Sequence, residues 1–435
     1  MIHRTILEWQ RLAYGSGTDQ IPEGVASGLA AAAAGSNFSG RQGDGVLNHG
    51  RKALQARGIV GVLASEAAQL EILPKIVSPG ELDAADNATL RHRLVQMLGV
   101  ALNLKIDNVG MARLGLQRDT LLEVLIRLYC HRLTEAVRKG IPRRYLNQTD
   151  DLPALRGRLN ATRQFSVMAA SPDRLACEFD ELSVDIPMNQ VMKATVLHLS
   201  RLARAGDNQK SLRELAFAYA DVSDVPLAGL LWDDIPIDRT NQRWADLLTL
   251  ARLLLGEKYQ KTSGGKTEGH ALLFKMHVLF EDYVARLLKK ALAGTGFQVS
   301  SQGGHRSCLY DGDVGRFRTK PDLIIRRGNT IVMIIDTKWK QMAPQIDDPK
   351  QGVSQGDVYQ LMAYSQLYDC PQTMLLYPYH FGLGGEATKR LYSIAAQGSP
   401  NSLTMATIDV TTTAQQCAAN LGRLVLSSFP DASPS

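Results

Sequence analysis

The fold of this chain is most readily predicted from residues 319–340, TKPDLIIRRGNTIVMIIDTKWK. Two apolar runs rich in β-branched residues, 323–325 and 330–335, flank Gly328-Asn329, a dipeptide typical of tight hairpin turns. The stretch therefore predicts two paired antiparallel strands joined by a short loop.

Charged side chains lie at the open end of this predicted hairpin. Asp322 precedes the first strand, and Asp336 and Lys338 end the second. Because successive strand residues point to opposite faces, Asp336, Lys338 and Lys340 share one face. One carboxylate and two ammonium groups therefore point together.

The position of Asp322 depends on the register of the hairpin. An unbulged two-residue loop pairs Asp322 with Ile335 and turns Asp336 to the wrong face. A three-residue loop through Thr330 instead places Asp322 opposite Asp336. We predict the three-residue loop or an equivalent β-bulge.

Two neighbouring carboxylates raise one pKa unless a cation lies between them. Mg²⁺ suits the pair because it takes oxygen ligands, keeps several waters and binds one or two carboxylates plus a substrate phosphate. Lys338 would orient or help to deprotonate a metal-bound water, and the metal would stabilise charge on the scissile phosphate. The alternative is a strand hairpin with a charged rim, because Pro-Asp followed by Asp-x-Lys also occurs by chance.

Length and composition are those of an ordinary globular protein with room for two or three domains: 435 residues, 45% hydrophobic and 21% charged. The first residues lack a leader pattern and the Ala-rich run 29–34 is too short to span a bilayer, so we expect a cytoplasmic protein without a membrane partner. The five cysteines lack CxxC spacing, which predicts neither a disulfide framework nor a zinc site.

The net charge of +6 is mild, but its distribution is informative. Residues 301–340 hold eight basic and four acidic side chains, a local excess of four positive charges. Arg318 and Lys320 belong to this excess and closely precede Asp322. Such an excess around the predicted site favours phosphate binding.

Periodicity and composition divide the chain into three predicted segments. Residues 1–88 contain short apolar runs separated by Gly, Ser, Asn and Pro, which predicts a β-rich module with a flexible insertion around residues 15–45. Residues 89–265 show apolar residues at three-to-four spacing, which predicts a helical connector. Residues 266–435 form the third segment. The predicted helices of the connector span 90–104, 121–138 and 244–255.

Two sequences between residues 138 and 267 have features of phosphate-binding elements. The turn 138–145, RKGIPRRY, is basic, but solvated charge after a helix end is the simpler explanation. The sequence Gly264-Gly265-Lys266-Thr267 matches half of a phosphate-binding loop, whereas the full pattern needs a glycine where this chain has Gln260. We therefore predict that this chain binds no nucleotide there.

The third segment follows the order helix, strand, hairpin, helix, strand, which predicts a mixed sheet flanked by helices. A helix over 272–292 places Glu281 among apolar residues, where it contacts the metal or its water, or lies at the edge of the apolar face. In a helix over 357–368, Gln360 and Tyr364 lie one turn apart, which fits a contact to the DNA backbone or an exposed polar stripe. The other predicted elements are strands near 297–300, 373–379, 390–395 and 403–410 and a helix over 414–426.

The order Pro321-Asp322, hairpin, Asp336-Thr337-Lys338 resembles the PD-(D/E)XK nuclease superfamily. Most of the chain resembles the McrC family, the nuclease subunit of McrBC-type modification-dependent restriction systems. The resemblance rests on LEILPKI at 70–76, GIPRRY at 140–145, LRGRL at 155–159, DIPMN at 185–189, MHVLFE at 276–281 and PD at 321–322 with DTKWK at 336–340. Met276-His277 departs from the Met-Asn that is more usual in this family.

The resemblance implies an α+β multidomain fold: a β-rich N-terminal module, a helical connector and a C-terminal α/β nuclease-like domain. The family's catalytic positions transfer to Asp322, Asp336 and Lys338, with Glu281 as a further acid. A Mg²⁺ ion would be held by Asp322, Asp336 and the carbonyl of Thr337. The residues expected to contact DNA are Arg318, Lys320, Lys340, Gln360 and Tyr364.

The resemblance also implies partners. In the family a McrB-like hexameric AAA+ GTPase binds the GTP, recognises double-stranded DNA with modified cytosine and translocates it. The McrC-like chain docks on this ring through its N-terminal module, stimulates GTP hydrolysis and couples it to cleavage. The insertion at 15–45 is expected to act at the ring.

Two other functions stay open. A non-catalytic adapter would keep the nuclease fold only to bind the ring and DNA, but the intact Asp322, Asp336 and Lys338 argue against it. A stand-alone repair-type nuclease would not need the long segments before residue 266.

Overall fold

The structure, a computed structural model, describes residues 2–34, 45–75, 85–104, 119–171, 173–239, 241–256, 270–341, 353–380, 383, 389–394 and 401–429. The chain has a mixed α/β, multidomain fold and divides into two compact units. The first unit combines residues 1–121 with 259–435, and the second consists of residues 122–258. The predicted N-terminal and C-terminal segments therefore share one unit. No helix in the described ranges is long and apolar enough to cross a membrane.

The N-terminal part of the first unit is rich in strands, as predicted. Its elements are β1 (Ile2–Leu7), β2 (Arg11–Tyr14), β3 (Gln20–Ile21), α1 (Glu23–Ala34), β4 (Leu47–His49), β5 (Ala53–Ala56), β6 (Ile59–Ala64), β7 (Ala68–Leu73) and α2 (Ala85–Ala101). Strands β3, β2, β5 and β4 form one sheet in that order, and β1, β7 and β6 begin a second. The second sheet is completed by β11 (His270–Lys275), which pairs antiparallel with β6.

Helix α1 corrects the prediction of a flexible loop over residues 15–45. Its side chains Ala26, Leu29, Ala32 and Ala33 are buried in the N-terminal core. Alanine loses little side-chain entropy on burial and favours helix. Residues whose composition predicted a linker therefore form a packed helix face instead. Residues 35–44 of the predicted insertion lie outside the described ranges.

The second unit contains a sheet that the prediction of a helical connector missed. Its elements are α3 (Leu121–Arg138), β8 (Arg144–Leu152), β9 (Arg158–Leu159), α4 (Ala161–Ser166), β10 (Leu175–Ser183), α5 (Pro187–Leu202), α6 (Gly206–Ala218) and α7 (Ala245–Leu254). Helices α2, α3 and α7 confirm the three predicted helices. The sheet has the order β8-β10-β9 and is antiparallel. Strand β8, RYLNQTDDL, carries mostly polar residues on both faces, so it gives no apolar period.

The C-terminal part of the first unit confirms the predicted mixed sheet flanked by helices. Its remaining elements are α8 (Met276–Ala291), β12 (Phe297–Ser301), β13 (Ser307–Asp311), β14 (Val314–Arg318), β15 (Leu323–Arg327), β16 (Thr330–Thr337), α9 (Gln355–Leu367), β17 (Gln372–Pro378), β18 (Lys389–Ser393), β19 (Ser402–Ile408) and α10 (Ala414–Leu426). The six-stranded sheet has the order β12-β15-β16-β17-β19-β18. Strands β16, β17 and β19 run parallel, and the other pairs are antiparallel.

Two elements of this segment differ from the prediction. The helix predicted over 272–292 begins at Met276, because residues 270–275 form strand β11. A short continuous apolar run does not distinguish a buried strand from a buried helix. The β13–β14 hairpin was not predicted, because its exposed residues follow no apolar alternation.

A β-bulge sets the register of the β15–β16 hairpin. The ladder shifts between Ile325 and Arg326, so that Val332 is the extra residue. The turn itself is the two-residue Gly328-Asn329 loop. Continued by one residue, the register beyond the bulge places Asp322 opposite Asp336. This confirms the predicted alternative, a bulge equivalent to a three-residue loop.

Candidate functional site

Three carboxylates from separate elements converge at the open end of the β15–β16 hairpin. Asp322 precedes β15, Asp336 lies in β16 and Glu281 lies in α8. Asp336 is 1% exposed, and Glu281 is also buried. Within the described ranges, Oε1 of Glu281 has no hydrogen-bond partner. Burying such groups is costly unless a proton or a cation neutralises them.

Hydrogen bonds fix the orientation of Asp322. Its Oδ2 accepts from the backbone N–H of Thr337 at 2.8 Å and from the Thr337 hydroxyl at 2.9 Å. The backbone N–H of Gln302 donates to the carbonyl of Asp322 at 2.7 Å. The side chain of Gln302 lies close enough to Glu281 to lower its pKa, against the larger effect of burial. Gln302, which the sequence did not predict, therefore lies beside both acids.

The acids share one electrostatic environment. Burial, with the charge of Asp322 second, raises the pKa of Asp336 to about 6. Burial, again with the charge of Asp322 second, raises the pKa of Glu281 to about 7. Near neutral pH these carboxyls are therefore partly protonated, and a divalent cation would displace their protons.

Lys338 bridges strand β16 and helix α9. Its Nζ lies 2.8 Å from Oδ2 of Asp336, 3.5 Å from Oδ1 of Asp357 and 3.3 Å from Oε1 of Gln360. Burial alone would lower the pKa of Lys338, but the adjacent Asp336 carboxylate and the charges of Asp357 and Asp322 outweigh burial and raise the pKa. Lys338 therefore stays protonated.

Asp357, in the first turn of α9, is a member of the site that the sequence analysis missed. Its Oδ2 lies 3.1 Å from Nζ of Lys340. Burial opposes its ionisation, but Lys340 and Lys338 outweigh burial and lower the pKa of Asp357. The available signal was local: Ser354 is the N-cap of α9 and accepts from the N–H of Asp357 at 3.1 Å.

The structure brings three of the five predicted DNA-contacting residues into this cluster. Lys340 pairs with Asp357, and Nε2 of Gln360 donates to the Tyr364 hydroxyl at 2.8 Å. Tyr364 is only 5% exposed, so its contact holds Gln360 in place. Arg318 and Lys320 lie outside the cluster on exposed backbone, although the charge of Lys320 lowers the pKa of Glu281 against the larger effect of burial.

Comparison with known proteins assigns the family. A family model described as McrBC 5-methylcytosine restriction system component matches residues 54–378. The chain belongs to the McrBC family. No curated protein matches it.

Two solved structures share the fold of this McrBC-family chain. A chain of the refined half-complex of Thermococcus gammatolerans McrB AAA+ hexamers with bound McrC is 20% identical, with a TM-score of 0.72. The match covers 98% of this chain and 100% of that one. A chain of the cryo-EM structure of the Thermococcus gammatolerans McrBC complex is 24% identical, with a TM-score of 0.52, and the match covers 67% and 88%.

The donor set of the McrBC-family chain fits Mg²⁺. In the part of the chain that the structure describes, no group of three or more His, Cys, Asp or Glu side chains is arranged to hold a metal by itself. A cation would therefore keep several waters beside the oxygens of Asp322 and Asp336, as Mg²⁺ commonly does. The unpartnered Oε1 of Glu281 fits a hydrogen bond from such a water. The Thr337 carbonyl as a ligand stays a prediction.

Trp339 ties the site of this McrBC-family chain to its N-terminal sheet. The indole Nε1 donates to Oε1 of Glu8 at 2.7 Å, and the backbone N–H of Lys75 donates to the same oxygen at 2.9 Å. The Trp339 ring also packs against Phe280, with centroids 5.3 Å apart. Glu8, which follows β1, thus holds Trp339 directly, and Trp339 in turn packs against Phe280, the neighbour of Glu281 in the site helix.

A cleft of about 300 Å³ lies within the second unit of the McrBC-family chain. Arg143 and Arg144 of the basic turn line it, together with Arg243. Residues 186–188 of a second stretch that carries the family resemblance also line it. In the described ranges neither Arg143 nor Arg144 forms an ion pair, and both are exposed, so phosphate binding and solvated charge both stay open for this turn.

Proposed function

We propose that this chain is the DNA endonuclease subunit of a modification-dependent restriction complex. Its substrate would be double-stranded DNA with modified cytosine of the 5-methylcytosine type. The observation that supports this function is the register of the bulged hairpin, which brings Asp322, Asp336 and Lys338 together beside Glu281.

The reaction is hydrolysis of a phosphodiester, in which a water forms a new P–O bond and the bond to the leaving sugar oxygen breaks. When bound, Mg²⁺ supplies an activated water and charge stabilisation on the phosphate. Asp322 and Asp336 would hold it, and the hydrogen bonds from Thr337 fix the orientation of Asp322. Lys338, being protonated, donates hydrogen bonds and positive charge, so we assign it to orienting water and phosphate and not to accepting a proton.

Glu281 fits the role of proton acceptor. Its pKa of about 7 lies near the pH at which such an enzyme works, where a general base is most effective. The proton taken from water would thus pass to a buried group that already accepts one readily.

The partner we propose is a McrB-like AAA+ GTPase hexamer, which binds the GTP. In Thermococcus gammatolerans, McrB AAA+ hexamers have McrC bound. The half phosphate-binding loop at residues 264–267 lies outside the described ranges. Following the sequence analysis, we place the docking surface on residues 1–88, where Trp9 projects from the turn after β1 with a φ of +66° and is exposed.

Cleavage of a cytosine-methylated plasmid, with Mg²⁺ and GTP and with or without the ring partner, tests the proposed function. We expect Asp336→Ala to reduce partner-dependent cleavage more than about 100-fold, since it removes a metal-holding carboxylate. Asp233→Ala, at an exposed carboxylate of the second unit, is the matched control. Cleavage that survives Asp336→Ala would exclude this site. Cleavage without the partner would favour the stand-alone nuclease, and ring binding without any cleavage would favour the adapter.

Binding of the ring tests the docking surface separately. We expect Trp9→Ala to weaken co-purification of the partner, because it removes an exposed apolar side chain of the N-terminal module. Phe217→Ala, at an exposed aromatic residue of the second unit, is the control. If Phe217→Ala weakens binding and Trp9→Ala does not, the docking surface belongs to the second unit.

A further inference from the structure

The β13–β14 hairpin forms a two-stranded ribbon at the same strand ends as the carboxylates. In the chain it connects β12 to β15, which pair antiparallel with Ser301 opposite Leu323. Both ends of the ribbon therefore start next to Asp322. The ribbon itself pairs with no other strand of the described sheets. Its large apolar side chains Leu309, Tyr310, Val314 and Phe317 are all exposed.

The base of the ribbon is fixed on helix α9. The hydroxyl groups of Thr319 and Tyr368 lie 2.7 Å apart, and the backbone N–H of Arg306 donates to the Tyr368 hydroxyl at 3.1 Å. The backbone N–H of Thr319 donates to the carbonyl of Arg306 at 2.8 Å, which closes the base. The Arg306 guanidinium lies 5.3 Å from the Tyr368 ring centroid. Helix α9 thus contacts both the base of the ribbon, through Tyr368 at its C-cap, and the site, through Gln360.

The ribbon carries an excess of basic side chains. Arg316 lies opposite Leu309, and Arg318 lies opposite Ser307, on one face. The Arg316 guanidinium is 3.6 Å from Asp311, and both side chains are exposed, so this pair is weak and easily exchanged for another anion. From Arg306 to Lys320 the basic side chains are Arg306, Arg316, Arg318 and Lys320, and the acidic ones are Asp311 and Asp313.

Phe317 has a conformation that burial does not explain. Its φ is +51°, in the left-handed region that bulky residues avoid, and its side chain is 75% exposed. Residues with such backbone strain cluster at active sites, ligand clamps and switch regions. An exposed aromatic ring next to arginines is typical of surfaces that contact nucleic acid.

We propose that the β13–β14 ribbon is a DNA-binding arm that enters a groove of duplex DNA. Arg316 and Arg318 neutralise backbone phosphates, and Phe317 contacts base edges in the groove, which admits a two-stranded ribbon. This inference rests on the proposed nuclease function and specifies how its substrate is held. Because the ribbon starts next to Asp322, duplex bound to it presents a phosphodiester to the carboxylates. The basic excess favours DNA over a protein occupant.

Binding of a short fluorescein-labelled duplex, measured by anisotropy over a range of salt concentrations without divalent metal or partner, tests the arm. We expect Arg316→Ala to weaken binding about 10-fold and to reduce the salt slope by about one. Phe317→Ala should weaken binding about 10-fold with an unchanged slope, because it removes an uncharged contact. Leu391→Ala, at an exposed apolar residue of β18, is the control and should bind as the unsubstituted chain.

Phe317→Gly separates binding from folding. Glycine adopts a positive φ without strain, so this variant should keep or raise the thermal midpoint while binding duplex as weakly as Phe317→Ala. Unchanged duplex affinity in the Phe317 and Arg316 variants overturns the inference, and loss of partner binding with unchanged duplex affinity would make the ribbon a protein-docking surface. These outcomes are independent of cleavage: if the unsubstituted chain with its partner cleaves no DNA while the ribbon variants bind duplex poorly, the proposed function fails and the arm remains.

Discussion

The hairpins β13–β14 and β15–β16 follow one another in the chain and turn in the same way, yet they differ in burial. Gly312 and Gly328, in their turns, have φ values of +59° and +60°. The β15–β16 strands are buried in the six-stranded sheet, whereas β13 and β14 are exposed almost throughout. Two hairpins with similar turns therefore differ in exposure to solvent.

Burial decides what the charged residues of each hairpin can do. In β16, burial raises the pKa of Asp336 to about 6. Nζ of Lys338 lies 2.8 Å from Oδ2 of Asp336. In the ribbon, Asp311 and Arg316 face water and interact weakly. The buried hairpin therefore holds its charged side chains in fixed positions. In the exposed hairpin, Arg316 can exchange Asp311 for the charged groups of a large anion.

The largest expected contrast is between Lys338→Gln and Arg316→Gln. We expect Lys338→Gln to lower kcat more than about 100-fold, because it removes charge next to the reacting phosphate, with duplex affinity within about 2-fold. Arg316→Gln should raise KM and leave kcat unchanged, since it removes binding that is the same in ground and transition states. Steady-state kinetics on methylated DNA measures both. If kcat fell equally in the two variants, the two hairpins would not have the different roles proposed for them.

The pH dependence of cleavage should follow only the buried hairpin and its neighbour Glu281. Both pKa values are raised, to about 6 for Asp336 and about 7 for Glu281, and protonated carboxyls do not hold a cation. The rate should therefore rise between about pH 5.5 and 8. Glu281→Gln should lower the rate and remove the part of the rise near pH 7. Asp311→Asn should leave the profile unchanged, and a shifted profile would contradict the assignment.

The stability of the metal-free protein should also separate the hairpins. The folded-state pKa of Asp336 is raised above its ordinary 3.8, so its favourable contribution is present below about pH 4 and is lost as pH rises through about 6. Asp336→Asn should therefore stabilise the metal-free protein at pH 8, by about 2 kcal/mol, and have little effect near pH 4. Urea unfolding at the two pH values measures this. Asp311→Asn, on the exposed ribbon, should change neither value.

The two turn glycines give the smallest contrast. An alanine at either position would meet open space but would keep a positive φ, which costs about 1 kcal/mol. Gly328→Ala should lower the free energy of global unfolding by that amount, because the buried hairpin unfolds with the core. Gly312→Ala should leave global unfolding unchanged and speed hydrogen exchange of the ribbon, which opens locally. Equal effects on global unfolding would show that the ribbon belongs to the cooperative core.

The sequence predicted those parts of the fold whose signals are local. Two apolar runs rich in β-branched residues and Gly328-Asn329 predict the β15–β16 hairpin, and the need to place Asp322 opposite Asp336 predicts its bulge. The helices over 121–138 and 414–426 are as predicted because their apolar spacing is regular. The roles of Asp322, Asp336 and Lys338 stay predictions until cleavage is measured.

Other parts depend on contacts that no local pattern encodes. Strand β8 and the ribbon are exposed on both faces, so they have no apolar period. Helix α1 has the composition of a linker and is defined by the core that it covers. Glu8 joins the site only because Trp339, 331 residues away in the chain, donates to it. Such partners follow from the tertiary fold alone.

The bond between Glu8 and Trp339 has a consequence for the biosynthesis of the protein. Glu8 is synthesised 331 residues before its partner Trp339, so the bond between them cannot form until Trp339 has left the ribosome. Contacts between residues so far apart in the chain make folding slow. In the nascent chain, Glu281, Asp322 and Asp336 are therefore made before the Glu8–Trp339 bond can form, and the site is complete only after that bond has formed. A variant that starts after Leu73 should therefore fail to assemble the site. The expected result is the simultaneous loss of duplex cleavage and of hydrogen-exchange protection in the core.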